Sequence, residues 1–235
     1  SVKDVLQVEW SPVKVGFIVL RTEGNEVYSW DMNTNTVNNM WRSRGENSLT
    51  AVHFHPSMPF IGNGYSDGAV VICDYENKMD SVIILGRTDA IKHGEDRRGV
   101  IDFTWDHHSC GKYILSAYED GLISLWDTVD RTIVNTFYVN TLHVGKFVAI
   151  RFLPWASGSF FTATTKSDTI MVWNVSQKDC ISRIRVTSCF GYQAIKLIPS
   201  MRLLYAVTST GNTIIYNIDQ QQVICSIRFY RSHLS

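Results

Sequence analysis

The chain has 235 residues, of which 45% are hydrophobic and 12% aromatic, so it can bury a substantial core and is not largely disordered. Its 22 basic and 22 acidic residues cancel, which argues against the positive field of a protein that binds phosphate backbones unaided. The longest apolar runs, such as residues 17–20 and 69–73, fall far short of the roughly 20 residues of a transmembrane helix, so no membrane span is expected.

Apolar residues alternate with a period of two from the start of the chain, a pattern that predicts strands with one buried side. Leu6, Val8 and Trp10 form the first such segment, and residues 101–105 and 148–152 repeat it. Further strands are predicted after these segments: 16–22, 113–118 and 160–165, then 122–126 and 170–173, then 132–138 and 222–229. No stretch of useful length has the helical period of about 3.6 residues, so an all-β fold is predicted.

Three pairs of residues recur five times in the same order, which identifies an internal repeat. The first is an apolar residue followed two positions later, usually, by proline: Trp10/Pro12, Phe54/Pro56, Trp105/His107, Phe152/Pro154 and Leu197/Pro199. The second is a pair suited to tight hairpin turns: Gly24-Asn25, Asp67-Gly68, Asp120-Gly121, Ser167-Asp168 and Thr210-Gly211. The third is a large residue before a polar one: Trp30-Asp31, Cys73-Asp74, Trp126-Asp127, Trp173-Asn174 and Tyr216-Asn217.

The repeat has the length of one β-propeller blade. Its third pair starts at positions 30, 73, 126, 173 and 216, in steps of 43, 53, 47 and 43 residues. A four-stranded blade takes about 40–45 residues, so the sequence predicts a single β-propeller domain, or a portion of one, with five four-stranded antiparallel blades. Their approximate bounds are 4–45, 48–86, 99–139, 146–187 and 192–230, with an insertion at 86–99.

Residues 116–127 (SAYEDGLISLWD) and 165–174 (TKSDTIMVWN) resemble the second and third strands of a WD40 repeat, and the resemblance covers nearly the whole chain. It implies a WD40-type β-propeller in which a turn aspartate joins a hydrogen-bonded network with a tryptophan and a histidine. Asp67 and Asp120 match that aspartate, while the matching tryptophans are Trp30, Trp126 and Trp173. The Gly-His pair that usually opens each repeat is missing from all five copies, so the chain resembles a divergent member.

Five blades are fewer than the roughly seven that commonly close a ring in this family, within a general range of about 4–8. Three arrangements fit this count: blades missing from a longer parent chain, blades supplied by a partner chain, or a true five-bladed ring. We expect the first, a portion of a seven-bladed ring, because the chain begins with serine instead of methionine.

No residues form a recognisable catalytic, cofactor-binding or metal-binding motif, so neither enzyme activity nor a cofactor is expected. His53 and His55 share one strand face without a third ligand nearby, which predicts a solvated face instead of a metal site. The segment 106–108 (DHH) and Cys110 lie at a predicted turn, where polar residues collect anyway. The five cysteines are scattered and never form a C-x-x-C pair, which favours a reducing compartment, the cytoplasm or the nucleus.

Candidate partner-binding residues lie outside the repeat positions. Trp41 is on a predicted outer strand and Trp155 is in a predicted turn, where each could anchor a partner or be buried against a neighbouring blade. The insertion is longer than a simple connection needs, and in the family such connections lie on the usual docking face. Its basic residues are candidates to pair with an acidic segment, unless Glu95 and Asp96 neutralise them in a solvated loop: Arg87, Lys92, His93, Arg97 and Arg98.

The sequence therefore predicts a non-catalytic scaffold that binds other proteins or peptides in a multi-subunit complex. The alternative is a nucleic-acid-associated WD40 subunit, in chromatin, transcription or RNA processing, that contacts nucleic acid through the basic insertion. A rigid set of blades with many independent loops suits the first hypothesis better than the second.

Overall fold

A computed structural model of the chain describes residues 4–42, 47–77, 80–86, 99–185, 190–220 and 222–228. The described residues form five four-stranded sheets, and in each sheet the strands are hydrogen-bonded in chain order. Neighbouring strands are antiparallel, as in the pairs of the first and last blades. The predicted all-β propeller fold with five four-stranded antiparallel blades is confirmed.

The strand bounds follow the predicted pattern closely. The first blade consists of β1 Val5–Trp10, β2 Phe17–Thr22, β3 Glu26–Asp31 and β4 Thr36–Arg42. The second consists of β5 Leu49–Phe54, β6 Phe60–Tyr65, β7 Val70–Asp74 and β8 Asp80–Leu85, and the third of β9 Val100–Trp105, β10 Tyr113–Tyr118, β11 Leu122–Asp127 and β12 Thr132–Tyr138. The fourth consists of β13 Phe147–Phe152, β14 Ser159–Thr164, β15 Thr169–Asn174 and β16 Asp179–Arg185, and the fifth of β17 Tyr192–Ile198, β18 Leu203–Thr208, β19 Asn212–Asn217 and β20 Gln222–Arg228.

Two short helical turns complete the described structure. A single-turn helix, α1 Thr141–Val144, precedes the fourth blade, and a 3₁₀ turn, Pro199–Met201, connects β17 to β18. No helix among the described residues is long and apolar enough to cross a membrane.

The second residue pair of the repeat forms the hairpin between the second and third strands of a blade. Gly68 and Gly121 have φ of 87° and 90°, a backbone conformation that residues with a Cβ rarely adopt. Asn25 takes φ of 57° in the first blade, which asparagine tolerates better than most residues. The turn residues therefore set the hairpin that joins these two strands.

The chain divides into two compact units, residues 1–136 and 137–235. In the first unit, one core cluster joins Phe17, Val19 and Val27 of the first blade to Phe54 and other residues of the second. A further cluster joins the second blade to the third. In the second unit, a single described cluster joins the fourth blade to the fifth. Sheet-on-sheet packing of apolar side chains thus forms the core of each unit.

Candidate functional site

One row of side chains recurs in each of the five sheets, and within each unit it lies where one blade packs on the blade before it. In each blade the row contains a residue near the end of the first strand and the residues paired with it on the second and third strands. In the first blade it also contains Val37 on β4, which pairs with Trp30. The junction rows are Trp10, Ile18, Trp30 and Val37 in the first blade, Phe54, Ile61 and Cys73 in the second, Trp105, Ile114 and Trp126 in the third, Phe152, Phe160 and Trp173 in the fourth, and Leu197, Leu204 and Tyr216 in the fifth.

The junction row of one blade packs on the preceding blade wherever both lie in one unit. The row of the second blade shares a core cluster with Phe17 and Val19 of the first. The row of the third blade shares a core cluster with Val70 and Ile72 of the second blade. These two residues lie on the face of the second blade that is opposite to the face of Cys73. The fifth blade's Tyr216 is buried in a cluster with residues of the fourth in the same way. The row is therefore a blade-docking surface.

In the first blade this surface is partly exposed, although Ile18 in the row is buried. Trp10 is 58% exposed, Leu6 and Val37 are each 51% exposed, and Val8 is 43% exposed. We name these four residues the first-blade face. The opposite side of the same sheet contacts the second blade, because Gln7 Nε2 donates to the carbonyl oxygen of Val52 at 2.6 Å. The first-blade face is thus an exposed apolar surface that no sheet covers among the described residues of the first unit.

The tryptophans at the third repeat pair differ from blade to blade. Trp126 and Trp173 are buried, and their indole Nε1 atoms donate to Ser116 Oγ at 2.9 Å and Thr162 Oγ1 at 3.0 Å. Trp30, at the same repeat position, is only half-buried, and it lies in the same row as the exposed Trp10 and Val37. Its Nε1 has no hydrogen-bond partner among the described residues.

The repeat aspartates lie in the hairpin turns, as predicted. Asp67 Oδ1 accepts from the backbone N–H of Ala69 at 3.0 Å, and Asp67 Oδ2 accepts from Asn47 Nδ2 at 2.7 Å. Asp120 Oδ1 accepts from the backbone N–H of Leu122 at 3.1 Å. In both blades the carboxylate thus holds the turn that precedes the third strand.

The two tryptophans outside the repeat are half-buried in this structure. Trp41 packs against the core cluster of the first two blades, and its Nε1 donates to the Tyr65 hydroxyl at 2.7 Å. Trp155 packs against the core cluster of the second unit, with the Arg202 guanidinium 5.9 Å from its ring centre. Part of each indole ring therefore packs within its own unit. That Trp41 and Trp155 anchor a partner stays a prediction. The basic candidates all lie outside the described residues: Arg87, Lys92, His93, Arg97 and Arg98.

The expectation of a solvated face at His53 and His55 is wrong, because the two side chains are 8% and 5% exposed. His53 Nδ1 lies 3.2 Å from Glu9 Oε1, and His53 Nε2 lies 2.9 Å from Asp102 Oδ1. Since Glu9 is on β1 and Asp102 on β9, His53 links the first strands of three consecutive blades. Sequence alternation correctly put both histidines on one side of β5, but it carries no information on what covers that side.

His55 lines a cavity of about 260 Å³ between the second and third blades. Its Nδ1 accepts from the backbone N–H groups of Ser57 and Met58, at 3.2 Å and 3.0 Å. Burial, together with the nearby His107, lowers the pKa of His55 to about 4. The ring is therefore neutral near pH 7, and its proton is on Nε2. The polar turn at residues 106–112 can be recognised in the sequence. The apolar walls of the cavity come from strands elsewhere in the chain, which the turn does not indicate.

The structure shows no cluster of metal-ligating side chains in the part of the chain that it describes. No three His, Cys, Asp or Glu side chains of these residues are placed to hold a metal ion together. The described cysteines form no disulfide with one another: Cys73, Cys110, Cys180 and Cys225.

No protein-family model matches the chain. Among solved structures, it is similar to a chain in the crystal structure of the mitotic checkpoint complex, with a TM-score of 0.73 and 14% sequence identity. The match covers 96% of this chain and 64% of that one, so this chain spans less than two thirds of its length. At this identity the similarity shows the fold alone, which is that of a β-propeller.

Proposed function

We propose that this chain is a divergent WD40-type propeller that acts as a non-catalytic scaffold, binding other proteins within a multiprotein assembly. The observation that supports this function is the first-blade face. Four large apolar side chains are exposed there, and Trp10 among them opens a row that is buried in the second and third blades. Contiguous exposed apolar surface of this kind marks sites of contact with other polypeptide.

The chemistry of this face favours a protein partner over other ligands. The described side chains of its first strand on that side, Leu6, Val8 and Trp10, carry no charge, so they offer nothing to a phosphate or a metal ion. Large aromatic residues such as Trp10 supply most of the binding energy in many protein interfaces. The similar solved chain comes from a protein complex, which also supports a partner of this class.

The nucleic-acid alternative has no support from the described residues, since its basic candidates lie outside them. The cytoplasm or the nucleus stays our proposed location, on the sequence argument given above.

The test is co-purification of the tagged chain from its source cells, with bound proteins identified by mass spectrometry. A double variant, Val8→Asp with Trp10→Arg, introduces charge on the first-blade face, and Leu142→Arg is a control at a residue that is equally apolar and 87% exposed in α1. Interface hot spots contribute about 2 kcal/mol or more. We therefore expect the double variant to recover at least tenfold less bound partner than the parent, and the Leu142→Arg control to recover the same amount as the parent. An unchanged set of bound proteins in the double variant would overturn the proposal.

A further inference from the structure

The cavity between the second and third blades is a candidate binding site separate from the first-blade face. Its volume is about 260 Å³, and its walls are mostly apolar side chains, among them Phe60, Ile72, Ile83 and Trp105. The turn from Ser109 to Lys112 forms one side of its mouth, and Val129 forms another.

A ring donor of His55 lies at this mostly apolar space. His55 Nδ1 accepts hydrogen bonds from two backbone N–H groups, so it carries no proton, and the proton of the neutral ring is on Nε2. His55 Nε2 has no hydrogen-bond partner among the described residues, and water can reach this atom although most of the side chain is buried. An occupant that displaces water from this donor without accepting its proton leaves it unsatisfied, at a cost of about 1–3 kcal/mol. The occupant must therefore bring an acceptor.

Gly111 keeps the space beside this donor open. Its φ is 80°, and a Cβ at this position would overlap His55 Nε2. Any larger residue would therefore fill the space in front of the donor as well as strain the turn.

The size and charge of the cavity narrow the class of ligand. Cofactors and drug-sized molecules occupy pockets of about 300–1,000 Å³, so a volume of about 260 Å³ suits a smaller group. Lys112 at the mouth is 3.2 Å from the Asp127 carboxylate, which compensates its charge. An uncharged apolar group with one nearby acceptor fits these constraints.

We propose that this cavity binds one large apolar side chain of a partner peptide, whose adjacent backbone carbonyl accepts the hydrogen bond from His55 Nε2. The site extends the proposed scaffold function to a second surface. It does not depend on the first-blade face, so the two proposals fail independently.

Cys110, which is exposed at the mouth of the cavity, provides the readout. The probe is N-acetyl-L-phenylalanine methylamide, and N-acetylglycine methylamide is the control without a side chain. Alkylation of Cys110 by iodoacetamide is followed by peptide mass spectrometry in the full chain, with Cys180 as an internal reference outside the cavity. For a ligand of this size we expect a Kd on the order of 1 mM, hence about tenfold protection of Cys110 at roughly 10 mM probe. Equal protection by both probes, or none by either, would overturn the proposal.

A pair of variants tests whether the cavity itself is occupied. Val129→Trp places a large ring at the mouth, and Val15→Trp is the control at an exposed valine outside the cavity; the two residues are 72% and 87% exposed. We expect protection of Cys110, measured as the ratio of rates with and without probe, to disappear in the first variant and persist in the second. The NMR signal of the His55 Nε2 proton should shift downfield on adding the phenylalanine probe. Persistent protection in Val129→Trp, or an unmoved Nε2 proton, contradicts the site.

Discussion

Trp126 donates its indole N–H to the Ser116 hydroxyl at 2.9 Å, between the second and third strands of the third blade. Ser116 in turn donates to the Tyr118 hydroxyl at 3.0 Å, so three buried side chains form one hydrogen-bonded chain. The Thr162 hydroxyl accepts from Trp173 in the fourth blade at the equivalent position. Each tryptophan thus contributes both apolar packing and a satisfied polar atom.

Trp126→Ala should destabilise the protein strongly, because it removes a buried ring and leaves a cavity. We expect a loss of about 3–5 kcal/mol in the free energy of unfolding. Trp10→Ala is the matched control, since Trp10 occupies the same row in the first blade but is mostly exposed, and it should cost less than about 1 kcal/mol. Chemical denaturation measures both, and a neutral Trp126→Ala would refute the assigned register.

Leu20→Thr should give Trp30 the acceptor that it lacks. Leu20 occupies the strand position held by Ser116 and Thr162, because Ile18 pairs with Trp30 as Ile114 pairs with Trp126. Leu20→Val has nearly the same shape as Leu20→Thr without the hydroxyl. Satisfying a buried donor stabilises by about 1 kcal/mol, so the threonine variant should exceed the valine variant by that amount in thermal or chemical unfolding. Equal stability would mean that Trp30 Nε1 reaches water.

His53→Ala should weaken the first unit, because it leaves the carboxylates of Glu9 and Asp102 without the ring between them. A hydrogen bond to a charged group is worth about 1.5–3 kcal/mol, so we expect a loss of about 2–3 kcal/mol. His143→Ala, at an exposed histidine of α1, is the control and should change stability by less than about 0.5 kcal/mol. If urea denaturation finds the two variants alike, the three-blade link does not stabilise the fold.

The free energy of unfolding should decrease as the pH falls from about 6.5 to about 4, because His55 is neutral in the folded protein. The pKa of His55 is lowered to about 4 in the folded protein, whereas an unfolded histidine has a pKa of about 6.5. The unfolded state therefore takes up a proton first as the pH falls, so the contribution is fully present above pH 6.5 and is lost progressively down to about pH 4. At about 1.4 kcal/mol per pKa unit, the loss is about 3 kcal/mol.

His55→Asn isolates this contribution. The asparagine side chain has an oxygen that can accept from the Ser57 and Met58 N–H groups, as asparagine does in turns, but it does not titrate. Unfolding free energies between pH 4 and pH 8 should thus vary less in this variant than in the parent. The same slope in both proteins would assign the pH dependence to other groups, such as His107, whose pKa is also lowered by burial.

The insertion is predicted to serve binding more than folding. Replacing residues 87–98 with a short Gly-Ser segment should change the free energy of unfolding by less than about 1 kcal/mol, since loop entropy varies slowly with length. Partner affinity should weaken, and more at low salt if Arg97 and Arg98 contact an acidic surface. Paired thermal unfolding and affinity measurements check both statements. A steep salt dependence of binding to nucleic acid would instead favour the alternative function.

Strand positions could be read from the sequence because they depend on local alternation and turn residues. β10 and β12 have the predicted bounds, and β14 begins one residue earlier than predicted. The five-fold repeat of residue pairs likewise determined the number of described blades, because each pair belongs to one hairpin. The sequence also contains no recognisable catalytic motif, and this observation led to the scaffold hypothesis.

Burial was decided by the tertiary structure alone. Trp10 and Trp105 open the same repeat pair, yet one is exposed and the other is buried, because only the second faces a preceding blade within the first unit. His53 and His55 followed the alternation of a solvated face but are covered by neighbouring blades. The sequence by itself determined the strands, the turns and the repeat, since these arise from contacts between residues close in the chain. Which side chains remain available to a partner depends on contacts between residues about 50 positions apart, such as His53 with Asp102, and no local pattern encodes these.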